Sequence, residues 1–197
     1  MWKEADRFLK KDKYIGPLLK KYGPCTLQPR KKSEYFEDLV DAVVQQQLSI
    51  KAGATIFGRL KEALGGEVTP EEILRLKDAK IRECGLSFSK ISYLKDLSKK
   101  VKDNEVETHK LDKLTDEAVM EELVSVKGIG RWTAEMFLMF DLARPDIFPA
   151  DDVGIQNGFK KLTGKNIKPD KMGDFARRWA PYRTIASWYI WRSLENG

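Results

Sequence analysis

A chain of 197 residues is long enough for one sizeable domain or for two small lobes that share a core. Lysine and arginine outnumber aspartate and glutamate by 36 to 30, and this net charge of +6 favours a polyanionic partner such as nucleic acid or a membrane surface. No apolar run approaches the ~20 residues of a membrane-spanning helix, and the first residues lack the apolar stretch of a secretory signal. We therefore expect an intracellular protein, of the cytoplasm or nucleoid or of a nucleus.

The sequence contains two cysteines, Cys25 and Cys84, which lie far apart and have no cluster of metal ligands nearby. This spacing argues against a disulfide framework, a zinc site and a cysteine-ligated iron–sulfur cluster. We expect no required cofactor.

Apolar residues recur at helical spacing in the first half of the chain. Two such stripes follow one another, and the second ends at Gly65-Gly66. Thr69 and Pro70 then form a strong helix start, in which Thr69 caps the helix and Glu72 completes a capping box. The stripes consist of Phe36, Leu39, Val40 and Val43, and of Ile56, Phe57, Leu60 and Leu64.

Helical patterns also dominate the second half. Ser89 is predicted to begin a helix with an inward-facing apolar stripe, and the polar residues 99–110 are predicted to form a surface connection. Thr115 begins the next helix, and a further apolar helix is expected over residues 134–142. The alternation typical of a β-strand is missing from the sequence, so the predicted fold class is all-α.

Residues 123–134 form the most informative pattern: an apolar-faced helix, a turn with two glycines, and a second helix. Gly128 and Gly130 permit a sharp turn, and backbone N–H groups beside the positive N-terminus of the second helix make a site for one phosphate. Taken alone, the pattern fits an αα-hairpin with glycine C-caps at least as well. A dinucleotide fingerprint fits poorly, because a helix rather than a strand precedes the turn. The side chains expected to accompany the glycines at the phosphate are Lys127, Arg131 and Thr133.

The hairpin and its surroundings resemble the helix–hairpin–helix superfamily of DNA glycosylases, most closely its 3-methyladenine DNA glycosylase II, or AlkA-type, members. The resemblance runs from about Glu37 to Trp191 and is strongest from Leu123 to Asp152. Only about 35 residues precede it, too few for the N-terminal β domain of longer members, so a compact form is implied. The resemblance implies a two-lobed helical core with its active site in the inter-lobe cleft. One lobe would span residues 37–148, and the other would combine residues 1–36 with 149–197.

Asp151 and Asp152 stand at a predicted helix start, where the ordinary role of an aspartate is that of an N-cap. In the family an aspartate about twenty residues beyond the hairpin is catalytic, and the match falls on Asp152, which leaves Asp151 as a cap or support. A helix N-terminus favours the ionised carboxylate, which can stabilise positive charge on a sugar. Trp132 stands where members that also cleave the DNA backbone carry a Schiff-base lysine, so a monofunctional enzyme is implied.

The glutamine-rich block that precedes Ser49 fits a solvated helix end with Leu48 in the core. The resemblance instead implies that Leu48 is the wedge that fills the gap left by a flipped base, with Gln47 beside it. Family hairpins also often hold a monovalent cation such as Na⁺ or K⁺ on backbone carbonyls. The corresponding carbonyls here belong to Val124, Val126 and Ile129.

The aromatic residues near the C-terminus are mostly expected in the core. The resemblance implies that Trp191 and Trp132 form walls of a base pocket, with Tyr182 and Trp188 as weaker candidates. An indole suits a cationic alkylated base through a cation–π contact. The implied activity is hydrolysis of the N-glycosidic bond of alkylated purines in duplex DNA, which leaves an abasic site without strand cleavage.

We expect such a glycosylase to be a monomer. Two alternatives remain open from the residues. A non-catalytic helix–hairpin–helix DNA-binding protein accounts for the charge and the glycines but not for Asp152, Trp132 and Trp191. A helical protein-interaction module would use the hairpin only as a turn.

Overall fold

The computed structural model describes residues 1–195, and this part of the chain consists of α-helices joined by turns and short 3₁₀ segments. No strand occurs within these residues, so the all-α prediction is confirmed. None of the described helices combines the length and apolar character needed to cross a membrane. The α-helices are α1 Lys3–Leu9, α2 Ile15–Tyr22, α3 Tyr35–Gln45, α4 Ile50–Ala63, α5 Pro70–Arg75, α6 Asp78–Glu83, α7 Phe88–Lys102, α8 Asp116–Val124, α9 Arg131–Met136, α10 Val153–Thr163, α11 Pro169–Ala176 and α12 Arg183–Arg192.

Side-chain caps explain several of these helix starts. Thr69 Oγ1 accepts the N–H of Glu72 at 3.3 Å, and Pro70 takes the first position of α5, as predicted. Thr115 Oγ1 accepts the N–H of Ala118 at 3.3 Å and begins α8. Local sequence therefore marks these helix starts.

Helix α7 differs from its prediction at both ends. Ser87 rather than Ser89 caps it, because the Ser87 hydroxyl accepts the N–H of Lys90 at 3.3 Å. The helix continues to Lys102, so the predicted connection at 99–110 is wrong in its first residues. Lysines in this last turn complement the negative end of the helix dipole, which favours the extension.

The apolar helix expected over residues 134–142 is not a single α-helix. Helix α9 ends at Met136, and a π-helical turn, Phe137–Asp141, follows directly. A π-turn shifts the side chains that follow relative to an α-helix, and such turns occur frequently at functional sites.

The chain divides into two compact units. Unit 1 comprises Met1–Pro29 and Leu138–Gly197, and unit 2 comprises Arg30–Phe137. These bounds differ from the lobes expected at 37–148 and at 1–36 plus 149–197. The core of unit 1 gathers residues of α1, α2 and α10–α12 around Trp179, whereas in unit 2 both α3 and α5 pack against α7.

Candidate active site and nucleic-acid interface

Asp152 caps α10 at the start of the helix, in unit 1. Its Oδ1 accepts the N–H of Ile155 at 2.7 Å and the indole Nε1–H of Trp191 at 2.9 Å. The two donors come from different parts of the chain, α10 and α12, and together they fix the orientation of the carboxylate. Asp151 is exposed and does not occupy the cap position, so its predicted capping role is wrong.

Gly154 makes the contact between Asp152 and Trp191 possible. A Cβ at this position would lie 2.9 Å from two atoms of the Trp191 indole and 3.0 Å from Asp152 Oδ1. Sequence reasoning missed this residue. A signal existed, because glycine in a helix is less favourable than alanine by roughly 0.5–1 kcal/mol and here occupies the first turn of α10.

The aromatic pocket candidates of unit 1 occupy different surroundings. Trp191 lies with its ring centroid 5.6 Å from that of Phe140, a residue of the π-turn that sequence reasoning did not identify. Tyr182 packs edge-on against Phe8 of α1, and Trp188 packs against Tyr189. The structure therefore brings Trp191 to the carboxylate and places Tyr182 and Trp188 in aromatic contacts with other residues.

A carboxylate held in this way can act on a developing cation. Asp152 is half-buried, and hydrogen bonds from an indole and a backbone amide hold Oδ1 in place. A fixed negative charge in a partly dehydrated site stabilises nearby positive charge more than it would in bulk water. The neighbouring ring of Trp191 adds a π face that attracts cationic groups.

The hairpin lies in unit 2, between α8 and α9. Gly128 adopts a φ of +80°, and a Cβ there would overlap the Tyr93 ring, so both the backbone and the packing require glycine. At Gly130 the φ is −94° and an added Cβ would meet nothing within 4 Å. The backbone at Gly130 therefore borders open space, into which a ligand can approach.

Two N–H groups of the turn are used within the protein. The N–H of Lys127 donates to Asp96 Oδ2 at 2.9 Å, and that of Ile129 donates to the Val126 carbonyl at 3.1 Å. A phosphate at this turn would therefore need donors other than these two N–H groups.

Carboxylates accompany both cations of the hairpin. Lys127 Nζ lies 3.7 Å from Asp96 Oδ1, and Arg131 Nε donates to Glu135 Oε1 at 2.9 Å. Sequence reasoning did not anticipate these pairs, which reduce the positive charge expected at the rim of the turn.

The two remaining hairpin candidates differ in exposure. Thr133 is buried, with only 6% of the residue exposed, so its hydroxyl is largely withdrawn from a ligand at the turn. Trp132 is 46% exposed, which leaves a large aromatic surface accessible in unit 2.

The turn between α3 and α4, residues 46–49, is here called the wedge loop. Helix α3 ends at Gln45, and Gln47 adopts a φ of +58°, a left-handed conformation unusual for a residue with a side chain. Leu48 is 39% exposed, so the reading of Leu48 as a core residue is wrong. Ile50, the first residue of α4, was missed by sequence reasoning and is 83% exposed, so the loop and the start of α4 each present an apolar side chain to solvent.

The wedge loop is tied to the hairpin and to α7. Gln46 Nε2 donates to the Gly128 carbonyl at 2.8 Å. Lys90 Nζ donates to the carbonyls of Val44 and Gln46, both at 2.7 Å. These contacts join residues more than forty positions apart, beyond the reach of spacing arguments.

Comparison with known proteins decides the family. A family model described as the HhH-GPD superfamily base excision DNA repair protein matches residues 40–181. The chain belongs to this superfamily.

HhH-GPD relatives cover nearly the whole chain. The chain is 40% identical to DNA-3-methyladenine glycosylase 1 of Schizosaccharomyces pombe over 188 residues, 93% of this chain and 82% of that protein. A solved structure of the 3-methyladenine DNA glycosylase of the same organism in complex with abasic DNA matches with a TM-score of 0.84 at 36% identity, over 96% of this chain and 95% of that one. A DNA-3-methyladenine glycosidase from Bacillus halodurans matches with a TM-score of 0.87 at 35% identity, over 97% and 88% of the two chains.

The carbonyls expected to hold a monovalent cation in HhH-GPD hairpins have suitable chemistry here. Val124 ends α8, where the helix dipole places partial negative charge on the carbonyls, and Val126 and Ile129 follow in the turn. The Val126 carbonyl accepts one hydrogen bond, from Ile129, and a carbonyl oxygen has a second lone pair for a cation. Within residues 1–195, no group of three His, Cys, Asp or Glu side chains could hold a metal ion instead.

Proposed function

We propose that this protein is a monofunctional DNA glycosylase that hydrolyses the N-glycosidic bond of alkylated purines in duplex DNA, with Asp152 as its catalytic carboxylate. The chain is a base excision repair glycosylase for alkylated bases, in line with the names of relatives 32–40% identical to it. The observation that carries the assignment to Asp152 is its geometry, because Oδ1 is fixed by Ile155 and Trp191 at the start of α10.

The reaction requires little more than a fixed negative charge and a water molecule. As the bond between C1′ and the base nitrogen breaks, the electron pair leaves with the base and positive charge builds on the sugar. Asp152 stabilises this charge, and water adds to C1′ and gives up a proton. A purine alkylated at a ring nitrogen is already cationic and leaves as a neutral base, so protonation by the enzyme is not needed.

Trp132 supports both the monofunctional assignment and a role in base binding. An indole has no amine that could form a Schiff base with the sugar, so strand cleavage by that route is excluded at this position. Its exposed ring suits stacking on a cationic base. We propose that the indoles of Trp132 and Trp191 each contribute to binding of the base, with Tyr182 and Trp188 as weaker candidates.

DNA binding is assigned to elements of unit 2. Gly128 and Gly130, with Lys127, Arg131 and the N-terminus of α9, would bind a phosphate without regard to sequence. Leu48, assisted by Gln47, would fill the gap left by the flipped base. A Na⁺ or K⁺ ion on the carbonyls of Val124, Val126 and Ile129 would add positive charge beside that phosphate. One chain carries both the carboxylate and the hairpin, so we propose that it acts as a monomer.

Asp152→Asn tests the proposal. Asparagine caps helices about as well as aspartate, so the fold should persist while the charge is lost. Both proteins are incubated with duplex DNA that contains 7-methylguanine and 3-methyladenine. The parent should release free base, and the variant should release it about 10²- to 10³-fold more slowly. Equal single-turnover rates would refute the catalytic assignment.

Borohydride treatment of the parent with abasic DNA tests the monofunctional assignment, and a trapped covalent adduct would contradict it. A parent that binds methylated DNA but releases no base would favour the non-catalytic alternative, for which the named relatives offer no support.

A further inference from the structure

One side of α7 contacts both DNA-binding segments of unit 2. Lys90, Tyr93 and Asp96 follow one another at intervals of three residues, so they lie along the same side of the helix. Lys90 contacts the wedge loop, Tyr93 lies against Gly128, and Asp96 binds the hairpin backbone. None of the three belongs to the wedge loop or to the hairpin.

Lys90 binds the C-terminal end of α3. Its ammonium group donates to the carbonyls of Val44 and Gln46, which have no partner further along the helix and carry partial negative charge. Lys90 is half-buried, and this burial lowers the pKa of its ammonium group. The contact thus fixes the point at which the chain leaves α3 and enters the wedge loop.

Tyr93 and Asp96 fix the hairpin from the same helix. The Tyr93 ring occupies the space that a side chain at position 128 would need. Asp96 accepts the backbone N–H of Lys127 at 2.9 Å. Gln46 joins the two segments directly, because its backbone carbonyl binds Lys90 while its side chain donates to the Gly128 carbonyl at 2.8 Å.

A cavity beside the wedge loop offers the Leu48 side chain an alternative position. The cavity has a volume of about 220 Å³ and is lined in part by Leu48 itself and by the apolar side chains of Val44, Ile56 and Leu86. A leucine side chain is stabilised when it is buried among such residues. Gln47 adopts an unusual left-handed conformation, so the observed loop depends on contacts outside itself.

From these contacts we infer that Lys90 is a positioning residue that holds the wedge loop in register with the hairpin and keeps Leu48 out of the adjacent cavity. Tyr93 and Asp96 fix the other end of the same arrangement. The inference rests on the proposed function, since it assumes that Leu48 enters the DNA. It assigns to α7 the task of setting the distance between the phosphate-binding turn and the wedge.

Lys90→Met, paired with Lys95→Met, tests this inference. Lys95 lies on the same helix and its Nζ donates to the carbonyls of Ile73, Leu74 and Leu76, at the end of α5. Each substitution therefore removes an ammonium from a helix C-terminus, but only one of these helices leads into the wedge loop. We expect similar losses of thermal stability in the two variants.

Base flipping separates the two variants. In duplex DNA with 2-aminopurine next to the lesion, we expect Lys90→Met to reduce the fluorescence rise on binding and to lower the single-turnover excision rate about tenfold. Lys95→Met should match the parent in both measurements. Equal flipping and excision by the two variants would overturn the inference. Failure of the proposed function would look different, because the parent itself would then release no base.

A double substitution tests whether Lys90 acts through Leu48. Leu48→Ala removes the wedge, so adding Lys90→Met to it should reduce flipping and excision little further. Lys90→Arg, which keeps a charged donor, should recover most of the parent rate. Losses that multiply in the double variant would mean that Lys90 does not act through the wedge, and would refute the assignment.

Discussion

The two units differ sharply in charge. Unit 1 has 17 lysine and arginine residues against 10 aspartate and glutamate residues, a net charge of +7. Unit 2 has 19 against 20, a net charge of −1, although it contains the hairpin and the wedge loop. The positive charge that first suggested a polyanionic partner therefore lies outside the unit that contains the proposed DNA-binding hairpin.

This difference separates two tasks. Unit 2 would recognise a ligand mainly by its geometry, because packing and hydrogen bonds fix its turn, its helix N-terminus and its wedge. Its two hairpin cations are paired with Asp96 and Glu135, which reduces their net charge. Unit 1 offers the carboxylate and the net positive charge. Substitutions in unit 1 should therefore change chemistry or long-range attraction, and substitutions in the turns of unit 2 should change binding and flipping.

Gly154→Ala, in unit 1, should have a large effect, second only to the loss of the Asp152 charge. The new Cβ would force Trp191 or Asp152 to move, and displacement of a catalytic group by about 1 Å can cost 10²-fold in rate. We expect a single-turnover rate about 10²-fold lower with DNA affinity close to that of the parent. Gly173→Ala in α11 is the control, because an added Cβ there meets nothing within 4 Å. A parent-like rate for Gly154→Ala would contradict the tight contact.

Gly128→Ala, in unit 2, should chiefly affect binding. Its left-handed backbone and the Tyr93 ring both oppose a side chain, at a cost of about 2 kcal/mol, so DNA affinity should fall roughly 30-fold if this strain distorts the turn. Gly130→Ala should keep the stability of the parent, because the protein leaves room there. A weaker affinity of Gly130→Ala for DNA would then measure how closely DNA approaches that backbone. If Gly128→Ala bound DNA as tightly as the parent, the proposal that this turn contacts DNA would be wrong.

Trp191→Phe, in unit 1, should have a smaller effect on the excision rate. Phenylalanine keeps an aromatic ring but cannot donate to Asp152 Oδ1, and losing one hydrogen bond to a charged group costs about 1.5 kcal/mol. We expect excision about tenfold slower. Combined with Asp152→Asn it should add little, since the indole N–H acts through that carboxylate. Additive losses would assign Trp191 to base binding alone.

The parts of the molecule that local sequence determines could be predicted from it. Thr69 caps α5 and Thr115 stands at the start of α8 as expected, because a helix start depends on residues within one turn. Asp152 could be placed at a helix start for the same reason, whereas its contact with Trp191 spans 39 positions and was not predictable. The family resemblance singled out both residues without revealing that they touch.

The contacts of α7 show why the rest could not be predicted. Spacing alone marks Lys90 and Asp96 as polar positions on a surface helix, and their partners lie 44 and 31 residues away. The conformation of Gln47 is equally hidden, since a glutamine after a helix carries no signal for a left-handed backbone. Such features follow from tertiary packing, which a single sequence does not display.

Salt dependence gives the smallest expected effect and tests the charge comparison itself. Replacing Lys10, Lys11 and Lys171 of unit 1 by glutamine removes exposed charges from a unit with a large positive excess. The logarithm of DNA affinity should then fall less steeply with the logarithm of salt concentration, by about 0.9 for each phosphate that the protein no longer neutralises, and affinity near 0.15 M salt should drop several-fold.

The matched variant replaces Lys77, Lys102 and Lys113, exposed lysines of unit 2 whose charge is offset by the acidic residues of that unit. It should shift the salt slope less, because long-range attraction depends on the summed potential rather than on the number of lysines. Equal slopes for the two triple variants would mean that only local contacts matter. A larger change in the unit 2 variant would place the attraction in unit 2 after all, and the negative charge of that unit would then have to be confined to faces that DNA does not approach.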